Sequence, residues 1–233
     1  MNIPHTSTAL RPSYTAHEPR HKNQPHQVYR LRDGTIVPGV TTILGVMDKP
    51  YLVDWANRMG LDGIDIEQYV DALADAGTLA HYLVECRLTG EVRNWAYIDE
   101  FSQVDRDRAH RSFKQYRKWS GEHDVRVVDC EMQMVSEQYR YGGTCDILAR
   151  VDGVLTLVDI KTCKSLSGAA DEKWTQLAGY HLLLKEHDYD VKENCILRIG
   201  RVEEEDMEYR RIPSLRDHIE RFLICKDLYD ITQ

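Results

Sequence analysis

An α/β sandwich, a mixed β-sheet flanked by helices and preceded by a short hairpin and a helical cover, is the fold class this sequence predicts. Three observations carry that prediction. From residue 76 onward, stretches with helical periodicity and stretches rich in β-branched and aromatic residues follow one another as helix, helix, three strands, helix, two strands, helix. Two of the strand-like runs meet at Asp152-Gly153, a strong signal for a two-residue hairpin turn. At 233 residues, the chain is long enough for a single domain with a substantial interior.

Residues 1–26 carry four prolines, four histidines and no apolar periodicity, and read as a flexible basic tail. Counted to residue 32, five basic side chains stand against Glu18 alone. Such a tail is either a solvated segment without a role or an arm that touches DNA. Residues 27–75 form the expected N-terminal hairpin and helical cover. VYRLRDGTIV reads as two short strands around Asp33-Gly34, Thr41 or Thr42 can cap a short helix, and Leu52, Val53, Trp55 and Met59 follow Pro50 at helical spacing. Residues 76–233 form the expected main core. Its first helix, 76–88, sets Leu79, Tyr82, Leu83 and Cys86 on one side and His81 and Glu85 on another, with Thr89-Gly90 as its stop. A helix over 101–119 turns Val104, Phe113 and Tyr116 inward. On it Arg111, Lys114 and Lys118 recur at spacings of three and four, either as a track for a phosphate backbone or as a solvated face balanced by Asp105 and Asp107. Strands are expected at 125–135, 139–150 and 154–162, a helix at 172–186, strands near 195–201 and 207–212, and a helix from 214 to about 229.

Composition excludes several classes. Hydrophobic residues at 42% and charged residues at 29% match a soluble globular protein, no apolar run is long enough for a membrane helix, and no secretory signal opens the chain, so a cytoplasmic location is expected. The six cysteines stand fifteen or more positions apart and form no CxxC pair, which points to reduced, buried thiols. A net charge of −8 argues against a protein that grips nucleic acid by a broad basic surface. It leaves room for a nuclease, because carboxylates that hold metal ions count as negative until the metals arrive.

The turn at Asp152-Gly153 sets a register. Facing residues in that hairpin have numbers adding to 305, so Asp146 lies opposite Asp159 and Thr144 opposite Lys161, all on one face. On the other face, Cys145, Ile147, Ala149, Val158 and Ile160 make an apolar surface for packing. Two carboxylates facing each other across a sheet repel unless something compensates them, and a divalent cation such as Mg2+ or Mn2+ does so. Lys161 then projects beside the metal, where it can stabilise an anionic phosphorus centre or position water. With a turn at Glu137-Gln138, Glu131 falls opposite Thr144 on the same acidic face, where it assists the metals, holds Lys161 or makes an ordinary cross-strand ion pair.

Gly143-Thr144-Cys145-Asp146, then Asp159-Ile160-Lys161, then Gln176 followed four residues later by Tyr180, resemble the GxxD, DxK and QxxxY signature of the RecB-type branch of the PD-(D/E)XK nucleases. Gly77-Thr78-Leu79-Ala80-His81 is similar to the GTxxH helix of the same branch. The resemblance covers about residues 76–185, and its four motifs stand in the family's order. PGVTTILGVMDKP is more loosely similar to openings in phage-encoded exonucleases and in the mitochondrial genome maintenance exonuclease.

The resemblance implies the restriction-endonuclease-like fold, with Asp146, Asp159 and Lys161 as the catalytic set. It further implies metal ligation by Asp146, Asp159, the Ile160 carbonyl and His81, with Gln176 and Tyr180 bracing the site or touching DNA. Without the neighbouring motifs, a lone helical histidine would read as structural. An imidazole among carboxylates favours Mn2+ somewhat over Mg2+. Some relatives hold an iron-sulfur cluster on four cysteines, three of them after the core; here only Cys195 and Cys225 follow it, so no cluster is expected. The expected function is a metal-dependent exonuclease acting on DNA ends or single strands in replication, recombination or repair, with a phage among the expected sources and a recombinase or single-strand-binding protein as the expected partner. The alternatives are a structure-specific endonuclease and a non-cutting DNA-binding module that keeps the fold.

Overall fold

The computed structural model describes residues 27–47, 50–166, 170–212 and 214–233. The tail expected over 1–26 lies outside the described residues. Strands β1 (Tyr29–Arg30) and β2 (Ile36–Val37) pair antiparallel, with Gly34 at φ 86 and the Asp33 carboxylate accepting from the Thr35 amide. Helix α1 (Val40–Leu44) follows at once. Its cap is Gly39 and no side chain caps it, so neither Thr41 nor Thr42 has the expected role.

Helix α2 (Pro50–Leu61) leads to α3 (Ile66–Thr89), which begins ten residues before the expected start because Asp65 caps it by accepting from the Gln68 amide. Gly90, left-handed at φ 76, ends it. On α2, Leu52 and Val53 are exposed, whereas Trp55 and Met59 are half-buried, with the Trp55 ring 6.1 Å from that of Tyr69 on α3. An unexpected short helix, α4 (Trp95–Asp99), precedes α5 (Gln103–Glu122), which Ser102 caps. Phe113 and Tyr116 face inward as expected, but Val104 is exposed, since Asp105 beside it turns in to bond the capping Ser102.

The sheet runs β3 (Val125–Ser136), β4 (Tyr141–Val151), β5 (Val154–Lys161), β6 (Glu193–Arg198) and β7 (Glu208–Ile212), in that spatial order. Every neighbouring pair is antiparallel except β5 and β6, which helix α6 (Ala170–Glu186) joins as a crossover. Helix α7 (Arg216–Thr232) closes the chain. The β4–β5 register matches the expected one, with Ile147 facing Val158 and Val151 facing Val154 about a turn in which Asp152 and Gly153 both have positive φ. The β3–β4 register does not. Four residues, 137–140, make that turn rather than two, so Gln133 faces Thr144 and Glu131 falls across from Asp146.

Each face of the sheet buries its own core. Val40, Ile43, Leu148, Leu157, Leu177, Leu183 and Phe222 pack α1, α6 and α7 on one side. Leu79, Leu83, Phe113, Trp119, Ile147, Val158 and Leu197 pack α3 and α5 on the other. Trp119 is fully buried between Tyr116 and Tyr209, and truncating such a residue to alanine costs about 3–5 kcal/mol. Cys145 departs from the expected apolar face. It packs with Met132 and Met134 in the first core, whereas Ile147 packs in the second. The strand pair changes sides between them, at Glu131 and Asp146. All six cysteines are free, and five are buried.

Candidate active site

The β4–β5 ladder stops at Ile147 and Val158. Beyond it the Asp146 carboxylate takes over, accepting from the Ile160 backbone amide at 2.6 Å. Across from Asp146, Glu131 sits between the rungs Cys130–Ile147 and Met132–Cys145 with φ at 48. That left-handed conformation costs a residue with a side chain about 1–3 kcal/mol, and strain of this kind gathers where function requires it. Its effect here is to bring a third carboxylate to the place where the strands change sides.

Helix α3 supplies the imidazole. His81 Nδ1 lies 3.7 Å from Glu131 Oε1 and 3.7 Å from Asp146 Oδ1. The helix can come this close because Gly77, one turn earlier, faces Thr162; a Cβ there would sit 2.8 Å from the threonine Oγ1. His81, Glu131 and Asp146 each offer a ligand atom, all within 4.8 Å of one another. On β5, Asp159 is buried, and Lys161 Nζ stands 2.7 Å from its Oδ2. That oxygen accepts no well-directed hydrogen bond among the described residues.

The electrostatics follow from crowding. Burial alone would lower the His81 pKa, but the Asp146 and Glu131 carboxylates override it and raise it to about 8. Burial, reinforced by Asp159 and Glu131 and opposed by His81, lifts Asp146 to about 6. Burial also works against the Lys161 ammonium, yet Asp159 and Asp146 hold it above its ordinary value. The result is an acidic cluster in which the carboxylates of Glu131, Asp146 and Asp159 share the cations of His81 and Lys161. A nitrogen-and-oxygen donor set of this kind fits Mg2+ or Mn2+.

Gln176 Nε2 donates to the Tyr180 hydroxyl at 2.9 Å, one turn apart on α6, and both side chains line the cleft above the acids. Tyr180 lies against Gly143, where a Cβ would come within 2.8 Å of its ring. Burial and the nearby Asp159 and Asp146 push its hydroxyl pKa well up, so it acts as a donor and not as an anion. The cleft, of about 500 Å3, thus gathers His81, Glu131, Asp146, Ile160, Lys161, Gln176 and Tyr180. Glu131 stands with His81 and Asp146, across from Asp146 rather than Thr144, and Lys161 pairs with Asp159. Arg111, Lys114 and Lys118 are not brought to it. They are exposed on α5 and absent from the cleft lining, and Arg111 reaches Glu203 at 4.0 Å.

One wall was missed by sequence reasoning. The N-terminal hairpin, expected without a place in the site, lies against β4, with the Gly142 amide donating to the Pro38 carbonyl at 2.9 Å and Tyr29 Oη 3.0 Å from Thr144 Oγ1. Its signal was the Gly142-Gly143 pair inside a strand, which marks a close approach from outside.

A family model described as the PD-(D/E)XK nuclease superfamily matches residues 52–223. No curated protein matches the chain. Among solved structures, SSO0001 aligns at 14% identity over 66% of this chain and 74% of its own, with a TM-score of 0.34. The alkaline exonuclease LHK-Exo from Laribacter hongkongensis aligns at 13% identity over 67% of this chain and 86% of its own, with a TM-score of 0.32. Its complex with dAMP aligns at 14% identity over 68% and 86%, also with a TM-score of 0.32.

Proposed function

From the membership of this chain in the PD-(D/E)XK nuclease superfamily, we propose that it hydrolyses DNA phosphodiester bonds in a metal-dependent reaction at the cleft floor, as an exonuclease on ends or single strands. The observation that carries this reading is the trio His81, Glu131 and Asp146 within 4.8 Å, set beside the buried Lys161–Asp159 pair. A non-cutting module has no use for so repulsive a cluster.

His81, Asp146, Glu131, Asp159 and the Ile160 carbonyl are the groups that would hold the metal. A divalent ion bound there supplies Lewis acidity to a phosphoryl oxygen and lowers the pKa of water. The protein's own groups do the remainder. Lys161, kept cationic by Asp159 and Asp146, sets a fixed positive charge where the phosphorus centre becomes more anionic. Asp159 orients that ammonium. Gln176 and Tyr180 offer donors to the phosphate from above. The cleft volume of about 500 Å3 is that of a small-ligand pocket, which suits a single strand entering end-on better than a continuous duplex.

A role in replication, recombination or repair, in a phage or its host, with a recombinase or single-strand-binding partner, is the setting we assign to such an activity. The deciding assay is digestion of end-labelled linear, gapped and circular DNA with Mg2+ or Mn2+. Release of mononucleotides from linear but not circular DNA is expected. Cutting of circular single strands would replace exonuclease with endonuclease, and no metal-dependent product at all would overturn the reading.

A further inference from the structure

The cleft holds one permanent cation. Among its described lining residues Lys161 is the only lysine or arginine, and it is committed to Asp159. Among those described residues no second lysine or arginine meets phosphates away from the metal. What the cleft offers instead is a neutral polar wall along its N-terminal side, made of Gln27, Tyr29, Thr41, Thr42, Gln133 and Thr144.

That wall is built, not incidental. A Cβ on Gly142 would lie 2.2 Å from Tyr29 Cγ, so the ring rests on bare backbone, and a Cβ on Gly39 would come within 3.1 Å of Cε2 at its edge. The hydroxyl is tied to Thr144 Oγ1 at 3.0 Å, two residues before Asp146 on β4. Both ends of the ring are thus fixed while it remains half-exposed to the cleft. Beside it, Gln27 Nε2 donates to Gln133 Oε1 at 3.0 Å. That bond uses a donor of one amide and the acceptor of the other, leaving a carbonyl oxygen on Gln27 and an amide hydrogen on Gln133. An immobilised aromatic face next to a donor and acceptor set is the chemistry that receives a nucleobase, by stacking and by its polar edge.

We propose that this wall is a nucleoside subsite in which Tyr29 stacks on the base next to the scissile phosphate, with Gln27 and Gln133 reaching its edge. The inference rests on the nuclease reading. It makes the hairpin the element that selects unpaired nucleotides, because a base still paired in a duplex cannot present its face to Tyr29.

The test is binding of a labelled thymidine hexamer and of the same hexamer built from abasic residues, which carry equal phosphate charge, measured with the full chain in Ca2+. The wild-type protein is expected to prefer the base-bearing strand by about tenfold, within the range for one stacked base. Tyr29→Ala should bring the two within about twofold, and Tyr29→Phe should retain most of the preference. Because Tyr29→Ala also removes packing against Gly142, the exposed Gln133→Ala provides a second variant, expected to reduce the preference several-fold without lowering the melting temperature. Equal binding of the two strands by the wild-type protein, absence of binding to either, or an undiminished preference in both Tyr29→Ala and Gln133→Ala overturns the subsite. A retained base preference in a protein that shows no metal-dependent cleavage would instead overturn the nuclease reading and leave the subsite standing.

Discussion

Lys161 and His81 are the residues whose surroundings make the sharpest demands. Lys161 is the only lysine or arginine among the described residues that line the cleft, and Lys161→Ala should lower the cleavage rate by about 10^2- to 10^3-fold, the scale for losing one preorganised stabilising group. It should also lower the melting temperature of the metal-free protein, since Asp159 is left buried without its cation. A rate within a few-fold of wild type would remove Lys161 from the catalytic set. For His81 the sign follows from its pKa of about 8, raised above the ordinary 6.5. Protonated His81 stabilises the metal-free fold fully below about pH 6.5, and that contribution is lost as the pH rises through 8. Metal runs the other way, because it needs the neutral ring. Mn2+ affinity should therefore fall as pH drops from 8 to 6, and His81→Ala should flatten that dependence. Calorimetric titrations at several pH values measure it; an unchanged pH slope in His81→Ala would exclude the imidazole as a ligand.

At the scale of elements, the hairpin of β4 and β5 was readable because its turn residues and its two-residue period both fix one register, and a single slip would have turned Ile147 and Val158 out of the core. The β3–β4 pair was not. Its four-residue loop carries no strong turn signal, and the left-handed Glu131 is set by the surrounding structure and not by its own preference. The same limit hid the wall made by β1 and β2. Short strands carry little periodicity, and what holds them is the space over Gly142, whose one signal in the sequence is a glycine pair inside a strand that does not say what approaches it. Gly142→Ala tests that docking directly. With Tyr29 Cγ 2.2 Å from the new methyl, either the hairpin shifts or the strand does, and urea unfolding should show a loss of about 1–3 kcal/mol. Wild-type stability would mean that the hairpin does not rest where it is seen.

For the molecule as a whole, charge is the governing quantity. A net charge of −8 and a cleft with one committed lysine leave little to gather phosphates. Single-strand affinity should accordingly change weakly with salt, with a log–log slope no steeper than about −2, where each phosphate contact contributes about −0.7. Arg111, Lys114 and Lys118, exposed on α5, are the cations that could steepen it. A slope near −4 that collapses when all three become alanine would make that helix the DNA track and would show the cleft lining to be a poor guide to binding. The docking of β1 on β4 has a consequence for the order of events in the chain's life. Tyr29 and Thr144 lie 115 positions apart, so the wall leaves the ribosome well before the strand that receives it and must wait for that strand. The hairpin is made first yet docks late, and the nascent chain has no finished cleft until β4 and β5 have followed it.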